Sequence, residues 1–158
     1  MESVIPSISG LLLRPASLGD LPTLVEFNLR LAWETEDRVL DPAVLREGVA
    51  ALLADPGKGR YWVAILNAEV VGQVMVTYEW TDWRNGVFWW LQSVYVRADC
   101  RGRGVFTALF HEVKRNAAET PQVRGLRLYV EEHNLRAREV YTRLGLQATG
   151  YQILGTEG

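Results

Sequence analysis

The stretch CRGRGVF, residues 100–106, places two glycines between arginines directly before an apolar run. Gly102 and Gly104 have no Cβ atom, so a ligand can approach the backbone closely there. Arg101 and Arg103 add planar guanidinium groups, which suit phosphate oxygens. The stretch therefore predicts either a phosphate-binding loop or a solvated loop that only begins a helix, and the neighbouring segments have to distinguish the two.

The loop lies inside a predicted strand–helix–strand unit. Residues 86–96 form an apolar strand, residues 104–119 have an apolar helical face, and residues 125–130 form a second strand. Such a unit gives a pair of parallel strands joined by a crossover helix. A loop that follows a strand and begins a helix offers backbone N–H groups and the positive end of the helix dipole, and both attract phosphate.

The rest of the chain predicts a mixed sheet. The other predicted elements are a strand at 11–15, a helix at 19–36 capped by Asp20, a helix at 41–57 capped by Asp41, strands at 60–67 and 69–80, a helix at 134–145 and a strand at 146–154. The strands at 60–67, 69–80 and 86–96 are joined by short turns, which predicts an antiparallel meander. The fold class is α/β (an α+β mixed sheet) in the order βααβββαβαβ, with helices on both faces. Residues 1–158 are predicted to form a single domain with its core at about 11–154, after a loose tail at 1–9.

Residues 86–96 are apolar on both faces of the predicted strand. Simple alternation places Val87, Trp89, Leu91 and Tyr95 on one face and Phe88, Trp90, Val94 and Val96 on the other. A strand of this kind lies inside a sheet that is covered on both sides.

Composition restricts the class of protein. Seventeen basic residues against 19 acidic ones give a net charge of −2, which argues against a nucleic-acid partner. The single cysteine, Cys100, allows no internal disulfide, and no Cys/His cluster has metal-ligand spacing. The N-terminal sequence is unlike a secretory signal, and no apolar run is long enough for a membrane span. We expect a cytoplasmic protein without a membrane partner or a metal.

Two other phosphate motifs fit less well. A P-loop needs Gly-Lys-Ser/Thr, which the chain lacks. A dinucleotide fingerprint counted from Gly102 would end on Thr107 instead of glycine or alanine, although Glu131 stands where a ribose-binding acid is expected. A nucleotide-dependent oxidoreductase therefore stays an alternative.

With these elements in place, the chain resembles the GCN5-related N-acetyltransferase (GNAT) superfamily over about residues 11–154. The family's pyrophosphate motif is Gln/Arg-x-x-Gly-x-Gly/Ala. It is matched here by Arg101 and Gly104, and Phe106 stands at the position of the last small residue. A second signature, Asn-x-x-Ala-x-x-x-Tyr-x-x-x-Gly, is matched at every position; its residues here are Asn134, Ala137, Tyr141 and Gly145.

The resemblance implies acetyl-CoA (coenzyme A) as cosubstrate, entering where strands 86–96 and 125–130 separate. The main chain of strand 86–96 would pair with the pantetheine arm as an added strand does, and the glycine loop would hold the pyrophosphate. Asn134 would hydrogen-bond the arm. The implied cofactor-binding residues are Val94, Tyr95, Val96, Arg101, Gly102, Arg103, Gly104, Val105, Phe106 and Asn134.

The resemblance also implies that Tyr141 is the general acid. A tyrosine hydroxyl, with an ordinary pKa of about 10, can donate a proton to a departing thiolate. Its apolar helical stripe is equally typical of a core tyrosine, and the nearby Asn134 and the glycine loop favour the catalytic interpretation.

Acylation of an alkylamine needs a base, because the free amine is mostly protonated at neutral pH. The candidates are Glu34, Glu36, Glu79 and Asp82, of which we favour Glu79 at the end of its strand. Nearby aromatic side chains could hold a cationic or apolar acceptor; they are Trp33, Trp80, Trp83 and Trp90.

The sequence thus predicts an acyl-CoA-dependent N-acyltransferase that moves acetyl to a primary amine, either a small molecule or a peptide, by direct attack. A backbone N–H near Val94 would hold the oxyanion. The alternative from a different class is a non-catalytic acyl-CoA-binding or sensor module of the same fold. An exposed hairpin from Trp80 to Trp90 suggests a homodimer contact.

Overall fold

The computed structural model describes residues 8–158, which form two compact units at residues 8–128 and 129–158. Most of the predicted tail, residues 1–7, lies outside the described residues. The elements of the first unit are β1 Leu12–Pro15, α1 Leu21–Glu36, α2 Pro42–Ala54, β2 Arg60–Leu66, β3 Glu69–Thr81, β4 Gly86–Val96, α3 Val105–Glu119 and β5 Val123–Leu128. The second unit contains α4, Leu135–Arg143.

The five strands form one mixed sheet in the order β1-β2-β3-β4-β5. The first four strands pair antiparallel, and β4 pairs parallel with β5. This arrangement confirms the α+β mixed sheet, the meander and the strand–helix–strand unit. It also places β4 between two strands, as its apolar sequence predicted.

Helices cover both faces of the sheet in the first unit, as predicted. On one face, Leu21 and Leu24 of α1 and Val49 of α2 form a buried cluster with residues of β2. On the other face α3 lies so close that a Cβ atom at Gly72 would be 3.0 Å from Val105 Cγ1 and 3.3 Å from Leu109 Cδ1. The contact fixes the start of α3, and so the glycine loop, against the middle of the sheet.

A β-bulge in β4 reverses the predicted side-chain faces beyond it. Met75 pairs with Gln92 and Gln73 pairs with Tyr95, so two residues of β4 stand opposite one of β3. Ser93 has a φ of 50°, and the buried Gln73 Nε2 donates to the Ser93 carbonyl at 2.9 Å. The predicted face of Tyr95 is therefore wrong, because the extra residue moves it to the α1 side, where its ring lies 4.9 Å from that of Phe27.

The predicted strand at 146–154 is not formed. Residues 129–158 contain α4 but no described strand, and Gly150 has a φ of 85°. A strand forms only beside a partner strand, and the sequence of this segment does not specify one. At β5 the prediction was two residues late, since the strand runs from Val123 to Leu128.

The starts of α1 and α2 use their aspartates differently. Asp41 caps α2 as predicted, accepting from Ala43 N at 2.9 Å, and Pro42 is the first helical residue. Asp20 precedes α1, but its carboxylate accepts instead from Arg14 Nη1 at 2.7 Å and from Ser17 N at 2.8 Å. It therefore ties β1 to the turn before α1 instead of capping the helix.

Replacing Asp20 with asparagine should destabilise the fold by about 2 kcal/mol at neutral pH, because a charged hydrogen-bond acceptor in a nearly buried position is lost. The hydrogen bond from Arg14 lowers the pKa of Asp20. The stabilisation is therefore complete above the unfolded-state pKa of about 3.9 and is lost as the pH falls through the lower folded-state value. Urea unfolding at pH 7 and near pH 3 measures this, and Asp37→Asn, at an exposed position, is the matched control.

Candidate active site

The glycine loop begins α3 as predicted. Gly102 and Gly104 have φ values of 73° and 90°, in the left-handed region that favours glycine, and Gly104 is the N-cap of α3. A cap without a side chain leaves the first N–H groups of the helix without a side-chain acceptor from that position. The helix start can therefore offer backbone donors and the positive end of its dipole to an anion.

The edge of β4 next to the loop extends beyond its parallel partner. The last pair between β4 and β5 is Leu91 with Leu128, and β4 continues for five more residues to Val96. Arg97 N donates to Val71 O at 2.8 Å, so the neighbouring Val96 directs its carbonyl to the opposite edge, away from β3. An extended ligand can pair with β4 along this edge.

Arg101 occupies part of that edge. Its Nε donates to Val96 O at 2.8 Å, its Nη2 lies 2.5 Å from a Glu34 carboxylate oxygen, and its guanidinium lies 5.3 Å from the centre of the Tyr95 ring. Tyr95 Oη also donates to Glu34, at 3.2 Å. The last turn of α1, the end of β4 and the glycine loop are thus tied together through Arg101 and Glu34.

The side chains of the other predicted loop residues differ in burial. Val105, the first residue of α3, is buried against the sheet, whereas Arg103 is exposed. The ring of Phe106 lies 6.3 Å from that of Phe110, one turn further along α3. Val105 and Phe106 can therefore contribute to anion binding through the main chain, and Arg103 through its side chain.

The second signature lies on α4, in the unit at residues 129–158. Asn134 is the N-cap, and its Oδ1 accepts from Ala137 N at 3.1 Å. Tyr141 lies seven residues further on the same side of the helix, about 10 Å along its axis. Burial raises the pKa of the Tyr141 hydroxyl. Gly145, with a φ of 93°, follows the end of the helix.

The structure does not bring Glu79 together with residues 94–96. The backbone of Glu79 pairs with Phe88 across β3 and β4, six residues before Val94, and the bulge makes this separation shorter than the roughly 20 Å of a regular strand. Trp90 Nε1 donates to one Glu79 oxygen at 2.7 Å, and Arg127 Nη1 lies 3.5 Å from the other. Glu34 lies much nearer to the open edge, through its contacts with Tyr95 and Arg101.

The predicted acceptor aromatics do not form one wall. Trp83 is 92% exposed in the turn between β3 and β4, and Trp33 and Trp80 are more than half exposed. Trp90 belongs to the sheet face that carries Phe88 and Arg127, whose guanidinium lies 3.7 Å from the centre of the Phe88 ring.

A cavity of about 210 Å³, which the sequence did not predict, lies between the two N-terminal helices and the sheet. Its lining residues are Asn28, Leu45, Gly48, Val49, Leu52, Tyr61, Met75 and Ser93. Ser93 directly precedes Val94 at the bulge, so the cavity adjoins the open edge of β4. The sequence feature that could have pointed to this cavity is Gly48, a glycine inside the predicted helix at 41–57.

No cluster of three or more His, Cys, Asp or Glu side chains that could hold a metal ion occurs among residues 8–158. Within the same residues, no helix combines the length and the apolar character that a membrane span needs.

The sheet combines an antiparallel meander with one parallel partner strand, and a glycine-capped helix begins beside an open strand edge. These features define a class of α+β proteins that can hold an extended, anionic ligand. The model of the acetyltransferase (GNAT) family matches residues 25–146, and the chain belongs to this family. The predicted resemblance to the superfamily is therefore confirmed, and the chain has the fold and family of an acetyltransferase.

Solved structures agree with this assignment. A structure described as a possible acetyltransferase from Clostridium difficile 630 is 43% identical, with a TM-score of 0.88 over 94% of this chain and 97% of that one. An integron cassette protein from the mobile metagenome of Cole Harbour Salt Marsh is 27% identical, with a TM-score of 0.81 over 92% and 89%.

A third structure shares the fold alone. It is described as a predicted acetyltransferase with acetyl-CoA from Clostridium acetobutylicum and is 20% identical, with a TM-score of 0.78 over 92% of this chain and 96% of that one. No sequence among curated proteins matches the chain significantly.

Proposed function

We propose that this protein transfers an acetyl group from acetyl-CoA to a primary amine of a small molecule or peptide, by direct attack of the amine on the thioester. The family membership supports acetyl transfer, and the sequence motifs supply the roles of the individual residues. The observation that carries the proposal is the open edge of β4, residues 92–96, next to the glycine-capped start of α3.

The residues of this edge fit acetyl-CoA. The main-chain groups of Val94 and Val96 would pair with the amides of the pantetheine arm, as an added strand does, whereas those of Tyr95 face β3 at Gln73. The backbone of Gly102 and Gly104 permits close approach of the pyrophosphate to the start of α3, and Arg101 and Arg103 supply guanidinium donors. A backbone N–H near Val94 would hold the oxyanion that forms when the amine attacks.

The second signature supplies the remaining roles. Tyr141 is the proposed general acid that protonates the departing thiolate, and its raised pKa keeps the hydroxyl protonated at neutral pH. Asn134 uses Oδ1 as a helix cap, so its proposed hydrogen bond to the pantetheine arm would come from Nδ2. Glu79 as the base stays a prediction from the sequence, and its distance along β4 from Val94 makes Glu34 the better-placed carboxylate.

The contacts of Arg101 predict that Glu34 opposes coenzyme A binding. An arm paired with Val96 and a pyrophosphate held by Arg101 both require this guanidinium to leave its present partners. Replacing Glu34 with glutamine removes one of them, and we expect the Kd of coenzyme A to fall about threefold to fivefold, the size of an exposed ion pair. Isothermal titration calorimetry measures the change.

The matched control for this titration is Glu26→Gln, which removes an ion pair with Arg30 on the same helix. It should leave the Kd unchanged. A double variant of Glu34→Gln with Arg101→Ala should bind no more tightly than Arg101→Ala alone, because the two residues act through one contact. Tighter binding by the double variant would contradict the competition.

The experiment that tests the proposed function combines binding with turnover. Release of free thiol from acetyl-CoA is followed with a panel of primary amines, and the acetylated product is identified by mass spectrometry. Amine-dependent thiol release supports the enzyme. Tight binding of coenzyme A without transfer to any amine would favour the non-catalytic module.

A further inference from the structure

The cavity of about 210 Å³ has one polar end and one apolar wall. At the polar end, Asn28 Nδ2 donates to Tyr61 Oη at 3.2 Å, and Ser93 also lines the cavity. The apolar wall comes mainly from α2, with Met75 opposite on β3; the residues of α2 that line it are Leu45, Gly48, Val49 and Leu52. None of the lining side chains is charged.

Gly48 stands in the middle of α2, where glycine weakens a helix. A Cβ atom built at this position would have no atom within 4 Å apart from its own helix, so the fold does not need a glycine there. The residue nevertheless lines the cavity from an exposed position of α2, so a longer side chain there can reach across the opening. A helix-weakening residue at a place without a packing reason is expected where a site must stay open.

We infer that this cavity is the acceptor subsite and selects primary amines with one uncharged, mainly apolar substituent. The inference rests on the proposed function. Ser93 lines the cavity and directly precedes Val94, near which the oxyanion of the thioester is proposed to form. The polar end at Asn28, Tyr61 and Ser93 suits the amine nitrogen, and the apolar wall suits the substituent. The cavity suits an amine better than the acyl chain of a longer acyl-CoA. Such a chain would enter from the thioester and place its first methylene groups against the polar side chains of Asn28, Tyr61 and Ser93.

The size and charge of the cavity define the class further. A volume of about 210 Å³ holds about seven non-hydrogen atoms at roughly 30 Å³ each. The lining residues offer no charged partner to a second ammonium or a carboxylate on the substituent, so the partial desolvation of such a group in the cavity is unfavourable. Hexylamine, with seven non-hydrogen atoms, therefore fits the cavity in size and charge, and 1,6-diaminohexane, which adds a second ammonium, does not.

The first measurement compares kcat/KM for ethylamine, hexylamine and 1,6-diaminohexane with acetyl-CoA and the full chain. We expect hexylamine to exceed each of the others at least tenfold, because each methylene group buried in an apolar pocket contributes severalfold. Equal values for hexylamine and ethylamine would overturn the inference while leaving the proposed acetyl transfer intact.

The second measurement uses variants of Gly48. Gly48→Leu adds a bulky side chain at the opening of the cavity and should lower the ratio of kcat/KM for hexylamine over ethylamine at least tenfold, and Gly48→Ala should lower it to a smaller extent. Gly48→Ala should also raise the midpoint of thermal unfolding, since alanine favours the helix. The control is Ala51→Leu, at an exposed position of α2 that does not line the cavity. An unchanged ratio in both Gly48 variants would overturn the inference.

A direct binding experiment separates this inference from the proposed function. Thermal shift titration with hexylamine and ethylamine, in the presence of coenzyme A, needs no turnover. If no amine is acetylated but hexylamine still binds more tightly than ethylamine and Gly48→Leu removes the difference, the subsite stands and the proposed enzyme does not. If hexylamine binds wild type and Gly48→Leu equally, the subsite fails.

Discussion

Replacing Tyr141 with phenylalanine will lower kcat for acetyl transfer about 100-fold, within the range that a general acid contributes. The aromatic ring stays in place, so the Kd of coenzyme A should change less than twofold. Because burial raises the pKa of this hydroxyl, wild-type turnover should be lost only as the pH rises above about 10, and the variant should lack that loss. Steady-state kinetics over a range of pH, with an amine that the wild type acetylates, measure both effects.

Tyr151→Phe is the matched control, since Tyr151 lies in the same unit and is 79% exposed. It should retain full turnover. Unchanged kcat in Tyr141→Phe would remove Tyr141 from the mechanism, and a large loss of coenzyme A affinity would assign it to binding instead of proton transfer.

Replacing Leu109 with alanine will cost about 3 kcal/mol of unfolding free energy. Leu109 is fully buried where α3 packs against β3 at Gly72, so truncation leaves a cavity that the close packing cannot fill. Urea denaturation measures the loss. Leu135→Ala, at a position that is 71% exposed, should change stability by less than about 0.5 kcal/mol.

The packing of Leu109 also bears on the proposed site. The start of α3 depends on this contact for its position against the sheet, so Leu109→Ala should weaken coenzyme A binding as well as the fold. A loss of stability below about 1 kcal/mol would mean that α3 is held mainly by other contacts.

Most of the sheet followed from the sequence, because its elements are long and strongly patterned. The Asp41-Pro42 start of α2 and the glycine loop before α3 specify local backbone geometry and were placed correctly. The predicted strand at 146–154 was wrong, because a local sequence shows only that a segment could lie in a sheet. Pairing depends on a partner, and no local pattern encodes one.

Less of the candidate site could be read from the sequence. The loop glycines and the two signatures are local patterns and were found. The contact between Arg101 and Glu34 joins residues 67 positions apart, so no spacing rule points to it. Tyr61 and Ser93 line the cavity from separate strands, and only Gly48, a glycine within a helical stripe, gave a local signal.

The bulge at Ser93 gives β4 two segments of opposite phase. Before it, odd-numbered side chains such as Trp89 and Leu91 face α3, and after it the odd-numbered Tyr95 faces α1. A binding surface transplanted onto this strand, or a distant relative aligned to it, requires the alternation of side-chain faces to shift by one residue at Ser93. A strand copied with uniform parity would present every group beyond that point to the wrong layer of helices.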